Sequence, residues 1–134
     1  MADYTIIFDG GSRGNPGEGY GSYQIVRASD GKARTRRVKF PGRRTNNEAE
    51  YMALIEALQE LVGGIRKSGH DPHACSVEVR GDSQLVIRQL DGRYKVREAH
   101  LQPLHERARS LLDEFGQARL VWHRRERSVA VLGH

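Results

Sequence analysis

One cysteine, Cys75, stands among the 134 residues. That excludes an internal disulfide and points to a reducing compartment; Cys75 itself reads as a small core residue. No apolar run approaches the roughly 18 residues that a membrane-spanning helix needs. The first residues, Met1-Ala2-Asp3-Tyr4, carry neither the basic nor the apolar region of a secretory signal. Internal repeats, linkers and low-complexity tracts are absent as well. These absences leave a single cytoplasmic domain of a size that supports a real core, with no membrane and no obligate protein partner in view, and a monomer expected.

What the chain does carry is charge. Hydrophobic residues make up 37% and charged residues 29%, a balance that suits a globular protein. The net charge of +5 and a pI near 9.7 favour a polyanionic partner. The excess is clustered: Arg34, Arg36, Arg37, Lys39, Arg43 and Arg44 form one group, and Arg119, Arg124, Arg125 and Arg127 another. Each is either a contact surface or a solvated strand face.

The stretch from Tyr4 to Gly17 organises the rest. A short apolar run, Tyr4 to Phe8, reads as a buried strand. It ends in Asp9 and a turn rich in glycine, Gly10, Gly11, Gly14 and Gly17. Asp9 is either one arm of an acidic site or a turn cap. Residues 20–27 and 33–40 follow as strands joined by the Ser29-Asp30-Gly31 turn. The second of them is basic and so expected near an edge. Thr45-Asn46-Asn47-Glu48 opens a helix whose apolar positions, Tyr51, Leu54, Ile55, Leu58, Leu61 and Val62, share one face; Gly63-Gly64 is expected to end it. Glu48 and Glu50, near its start, are either site residues or simple partners of the helix dipole. Cys75, Val77 and Val79 alternate with polar residues as a strand that ends in Gly81-Asp82. A short helix is expected at 83–90, a second through Leu101, Leu104, Ala108, Leu111, Leu112 and Phe115, and a last strand at 119–122. The order predicts an α/β fold with a mixed sheet, three antiparallel strands followed by parallel ones through crossovers.

If the first and fourth strands are parallel neighbours, Asp9 and Asp82 leave the sheet at one edge, where ligands bind in open α/β sheets. Glu50 can reach the same point. Three carboxylates in one place repel one another unless a cation neutralises them. An all-oxygen set suits Mg²⁺, with Mn²⁺ as a possible substitute. Two such ions support in-line phosphodiester hydrolysis.

Three segments, Asp9-Gly10-Gly11-Ser12-Arg13-Gly14-Asn15-Pro16-Gly17, Thr45-Asn46-Asn47-Glu48-Ala49-Glu50-Tyr51 and Gly81-Asp82-Ser83-Gln84-Leu85-Val86, resemble the successive motifs of type 1 ribonuclease H. The resemblance runs from about residue 4 to residue 122. It implies the ribonuclease H-like fold, a five-stranded mixed sheet flanked by helices. It also implies a metal-dependent endoribonuclease that hydrolyses the RNA strand of RNA/DNA hybrids to 5′-phosphate and 3′-hydroxyl ends, with two ions expected when substrate is bound. Asp9, Glu50 and Asp82 match the family's metal-binding catalytic residues. Asn15, Asn46 and Asn47 match residues at the hybrid's minor groove, Thr45 a residue that holds a DNA phosphate, and Ser83 the neighbour of the third carboxylate. The form is a short one, without an N-terminal hybrid-binding domain or the long basic protrusion some members carry. Tyr94, with Lys95 and Arg97, is either a reduced equivalent of that protrusion or ordinary surface.

The likeness fails at the end of the chain. The family's fourth motif reads roughly Pro-Arg-Glu-x-Asn-x-x-Ala-Asp, followed by a closing helix. Here Arg125-Glu126 match, but Ser128 replaces the asparagine and Leu132 the fourth carboxylate. The closing helix is expected to be missing or truncated, with a domain over residues 1–127 and a frayed tail over 128–134. Three accounts stay open: a nuclease working with three carboxylates, a hybrid-binding protein that cleaves weakly or not at all, or a longer natural protein. Glu126 and His134 are candidates to replace the missing acid, and His123 is a candidate for the histidine some members place near the leaving product. A different polynucleotidyl transferase of the same fold, such as an integrase, would not be expected to carry Asn15 or Thr45-Asn46-Asn47.

Overall fold

The computed structural model describes residues 1–133. The chain runs through β1 (Tyr4–Arg13), β2 (Gly17–Arg27), β3 (Ala33–Arg44), α1 (Asn46–Lys67), a single 3₁₀ turn (Pro72–Ala74), β4 (Ser76–Gly81), α2 (Gln84–Leu90), α3 (Gln102–Leu112), β5 (Gln117–Trp122) and α4 (Arg125–Leu132). The sheet order is β3-β2-β1-β4-β5. β1 pairs with β2 and β2 with β3 in antiparallel fashion, whereas β1–β4 and β4–β5 are parallel. This is the mixed α/β sheet that the element order predicts and the ribonuclease H-like fold that the resemblance implies, with a short final helix.

Period-two alternation along β1, β2 and β4 turns Ile6, Phe8, Tyr23, Ile25, Val77 and Val79 to one face. Against them α1 sets Tyr51, Leu54, Leu58, Leu61 and Ile65, and α3 adds Ala108, Leu111 and Leu112. Each large apolar side chain buried there contributes about 1.5–3 kcal/mol, so this layer carries most of the stability. Cys75 packs half-buried against it. β3 is at the edge, as its basic composition predicts, and a charged edge resists pairing with another strand. Among the described residues no helix is long and apolar enough to cross a membrane.

Three elements differ from expectation. β1 continues through the glycine turn to Arg13, because residues 10–13 pair with residues 18–21 of β2. α1 does not stop at Gly63-Gly64; Ile65, one turn beyond Leu61, is buried in the core and carries the helix to Lys67. The expected frayed tail is instead the body of α4. Ser128 and Leu132, four residues apart and so on one helical face, are 1% and 3% exposed, and the helix packs on β1 and β2.

Candidate active site

The parallel register places Phe8 opposite Gly81. The next residues, Asp9 and Asp82, therefore stand side by side at the end of two central strands. α1 brings the third acid. Thr45 caps that helix with a reciprocal box: its hydroxyl accepts from the Glu48 amide at 3.1 Å, and the Glu48 carboxylate accepts from the Thr45 amide at 2.8 Å. The cap fixes the first turn, and Glu50 points from it toward the strands. Gly10 permits the approach, since a Cβ there would lie 2.5 Å from the carbonyl of Ala49 and 2.6 Å from the amide of Glu50. Only a residue without a side chain lets β1 and α1 come this close.

The outcome is a cluster in which Asp9, Glu50 and Asp82 each offer an oxygen within 4.8 Å of the others. Asp9 and Glu50 are 2% and 6% exposed. Burial pushes the Glu50 carboxyl well above the usual carboxylate range; the Asp9 charge, a hydrogen bond to Asp9 and the Asp82 charge add to it. Asp82 is raised by burial first and by Asp9 second, while the Ser128 hydroxyl, Arg125 and His123 favour its charged form. Glu50 Oε2 and Asp82 Oδ2 are buried without a hydrogen-bond donor. Buried carboxylate oxygens without donors are costly. A hard divalent cation would satisfy both and cancel the repulsion, so the donor set fits Mg²⁺ or Mn²⁺.

Around the cluster stand further residues, of which the sequence offered His123 as a candidate and Arg125 as a match to the fourth motif. The Arg125 guanidinium lies 3.6 Å from Asp82 Oδ2 and 3.9 Å from Asp9 Oδ1. The indole N–H of Trp122 donates to the Asp82 carbonyl at 3.0 Å. His123 donates its backbone N–H to Gly81 O at 3.0 Å, and its Nε2 lies 2.8 Å from the Ser128 hydroxyl. His123, in the two-residue connection between β5 and α4, is therefore tied to β4 by its backbone and to α4 by its side chain. Nothing in composition or periodicity marks Ser128 or Trp122, because their role depends on how α4 and β5 dock beside Asp82.

The remaining expected site residues divide. Asn15 Oδ1 accepts from the Asn46 amide at 3.1 Å, and Asn46 Oδ1 accepts from the Ser12 amide at 2.9 Å. Both side-chain amides thus use their carbonyl on the protein and keep NH₂ donors to offer. Asn47 follows Asn46 in the first turn of α1. Ser83 caps α2, accepting from the Val86 amide at 3.2 Å. Tyr94 is 46% exposed in the loop between α2 and α3. Glu126 sits exposed in the first turn of α4 and is not in the carboxylate cluster, so it does not replace a fourth acid there. Leu132, at the position where that acid was expected, is buried. His134 lies outside the described residues. A groove of about 500 Å³ at the far end of the sheet is lined by Tyr4, Ile25, Leu61 and Ile65. On its rim Arg27 pairs with Asp30 and Arg34 with Glu60, and Lys32 is exposed, so it has no cluster of buried charge comparable to the carboxylates.

Comparison with known proteins agrees with this geometry. Residues 7–131 match the family described as reverse transcriptase-like. The bifunctional protein Rv2228c of Mycobacterium tuberculosis is 38% identical over 126 residues, which is 93% of this chain but 32% of that protein. Ribonuclease HI of Halobacterium salinarum is 42% identical over 108 residues, 81% of this chain and 50% of that protein. The chain thus spans a third to a half of these relatives' lengths. Among solved structures, that of LC11-RNase H1 in complex with an RNA/DNA hybrid superposes with a TM-score of 0.82 at 33% identity, covering 95% of this chain and 89% of that one. The N-terminal RNase H domain of Rv2228c gives a TM-score of 0.81 at 33% identity, covering 97% and 88%.

Proposed function

The chain belongs to the ribonuclease H1 family, and we propose that it is an endoribonuclease that hydrolyses the RNA strand of RNA/DNA hybrids. The observation that carries this reading is the cluster of Asp9, Glu50 and Asp82 with two buried, donorless oxygens. In this proposal those three residues hold two divalent cations, Mg²⁺ or Mn²⁺. Bound there, the cations supply a water nucleophile at neutral pH and neutralise charge on the phosphate and the leaving oxygen. A bond forms between the water oxygen and phosphorus as the bond from phosphorus to the 3′-oxygen breaks. The products carry a 5′-phosphate and a 3′-hydroxyl.

The chain's own residues select and place the strand. Asn15 and Asn46 direct side-chain NH₂ donors to the minor groove, with Asn47 beside them, where donors can meet the 2′-hydroxyl that separates RNA from DNA. Thr45 Oγ1 accepts from Glu48, which leaves its own proton to donate to a DNA phosphate. Ser83 is in the same condition beside Asp82. Arg125, Tyr94, Lys95 and Arg97 provide basic and aromatic surface for the duplex. Binding is expected to weaken steeply with salt, as displaced counterions require.

The test is cleavage of an end-labelled RNA/DNA hybrid with Mg²⁺ and with Mn²⁺, using Asp9→Asn as control. Metal-dependent cleavage lost in the control supports the reading; no cleavage with either metal overturns it. One observation favours a second reading, a hybrid-binding protein with weak cleavage: buried Leu132 occupies the expected place of the fourth acid. Leu132→Asp should raise Mg²⁺-dependent turnover if that acid is limiting.

A further inference from the structure

We propose that Ser128 and His123 are positioning residues that hold Asp82 in the orientation a cation requires. The proposal deepens the metal-centre reading above and rests on it.

Asp82 is fixed from three sides by residues that follow β4 by 40 or more positions. Trp122 donates its indole N–H to the Asp82 carbonyl, and the His123 backbone N–H donates to the carbonyl of Gly81, both at 3.0 Å. These two contacts lock the peptide units on either side of the Asp82 Cα. The Ser128 hydroxyl faces the Asp82 side chain and stabilises its charged form. A hydroxyl has one proton. Directed at the carboxylate, it leaves Ser128 Oγ to accept from His123 Nε2–H across 2.8 Å. The imidazole Nδ1 is then the bare nitrogen, and it is indeed the buried atom without a partner.

The result is a chain of contacts from imidazole to hydroxyl to carboxylate that leaves Asp82 Oδ2 without a hydrogen-bond donor. Packing alone gives no reason for it. Ser128 is 1% exposed on a helix face it shares with Leu132, where an alanine would fill similar space without burying a hydroxyl. A histidine kept for bulk would not leave a buried nitrogen unpaired. Ordering of this kind matters at metal sites, since outer partners of ligands change metal affinity by about 10–100-fold.

The experiment is calorimetric titration of Mn²⁺ into the metal-free full chain, without nucleic acid, with a thermal melt of every variant. Ser128→Ala should weaken Mn²⁺ binding roughly 10-fold while the fold is kept. His123→Phe, which keeps the ring but removes both nitrogens, should weaken it by a similar factor. His123→Gln, whose amide reaches about as far as Nε2, should restore it. The double variant Ser128→Ala/His123→Phe should bind no more weakly than Ser128→Ala alone, because both act through one chain of contacts. If Ser128→Ala does not fold, the His123 pair decides the matter. Wild-type affinity in folded Ser128→Ala or His123→Phe, or losses that multiply in the double variant, would overturn the positioning role. Failure of the wild-type chain to bind Mn²⁺, or equal binding by Asp9→Asn, would overturn the metal-centre reading and this proposal with it.

Discussion

Glu50 and Glu60 lie on the same helix, ten residues and about 15 Å apart along its axis, and they live in opposite circumstances. Glu60 accepts from the Tyr23 hydroxyl at 2.9 Å and sits 2.5 and 3.6 Å from the guanidinium groups of Arg36 and Arg34. Its charge is answered by the protein, and a quarter of its side chain remains in water. Glu50 is buried beside two further acids, with Oε2 unanswered. One glutamate holds β2 and β3 to α1. The other is an expense to the fold, and such sites are kept where the missing partner comes from outside. On the proposed function, a structural and a metal-binding carboxylate stand on a single element.

The largest effect should follow from closing the gap that makes Glu50's position possible. Gly10→Ala forces a Cβ into the α1 backbone at Ala49 and Glu50, so it should cost about 3 kcal/mol in denaturant unfolding and remove cleavage as the acids separate. Glu50→Gln should keep the fold and lower turnover on a hybrid by more than about 100-fold, since removing a ligand should exceed the effect of its outer partners. Glu60→Ala should do the reverse. It strands the buried Tyr23 hydroxyl and should cost about 1–2 kcal/mol in chemical denaturation, with turnover unchanged within a factor of about 2. Equal losses of activity in both glutamate variants would dissolve the distinction.

A smaller effect concerns pH. A carboxyl whose folded pKa lies above its unfolded value stabilises fully below the unfolded value, near 4.5 for Glu50. That contribution is lost as pH rises toward the raised folded value. The metal-free chain should therefore lose stability as pH climbs above about 4.5, and Glu50→Gln should lose less. Thermal melts in chelator across pH 4 to 8, a range set by the usual carboxylate and histidine values, would show it.

The clustering of the three acids in the candidate site was legible in the sequence for a physical reason. Asp9 and Asp82 each end an apolar strand, and Glu50 stands two residues beyond a capping box; these are local patterns that survive reading one residue at a time. The mixed sheet followed from the order of elements. What escaped reading depends on packing across the chain. Residues 10–13 look like a turn because of their glycines, yet their partner strand keeps them extended. Ile65 draws α1 past two glycines. Residues 125–132 offer little helical amphipathicity, and only their docking on β1 and β2 explains why Ser128 and Leu132 are buried. Ser128 and Trp122 gained their place at Asp82 in the same way, whereas His123 was already a candidate and only its contacts were not.

On the proposed reading, Glu50 serves a cation and works against the stability of the fold. The direct measurement is the melting temperature of the wild-type chain and of Glu50→Gln, each in chelator and in saturating Mn²⁺, near neutral pH. Binding to the folded state alone raises stability by mass action. The predicted result is an inversion: Glu50→Gln melts higher in chelator, and the wild type melts higher in Mn²⁺. If the wild type is the more stable in both, or Mn²⁺ shifts the two equally, Glu50 is a structural acid and the metal-centre reading is contradicted.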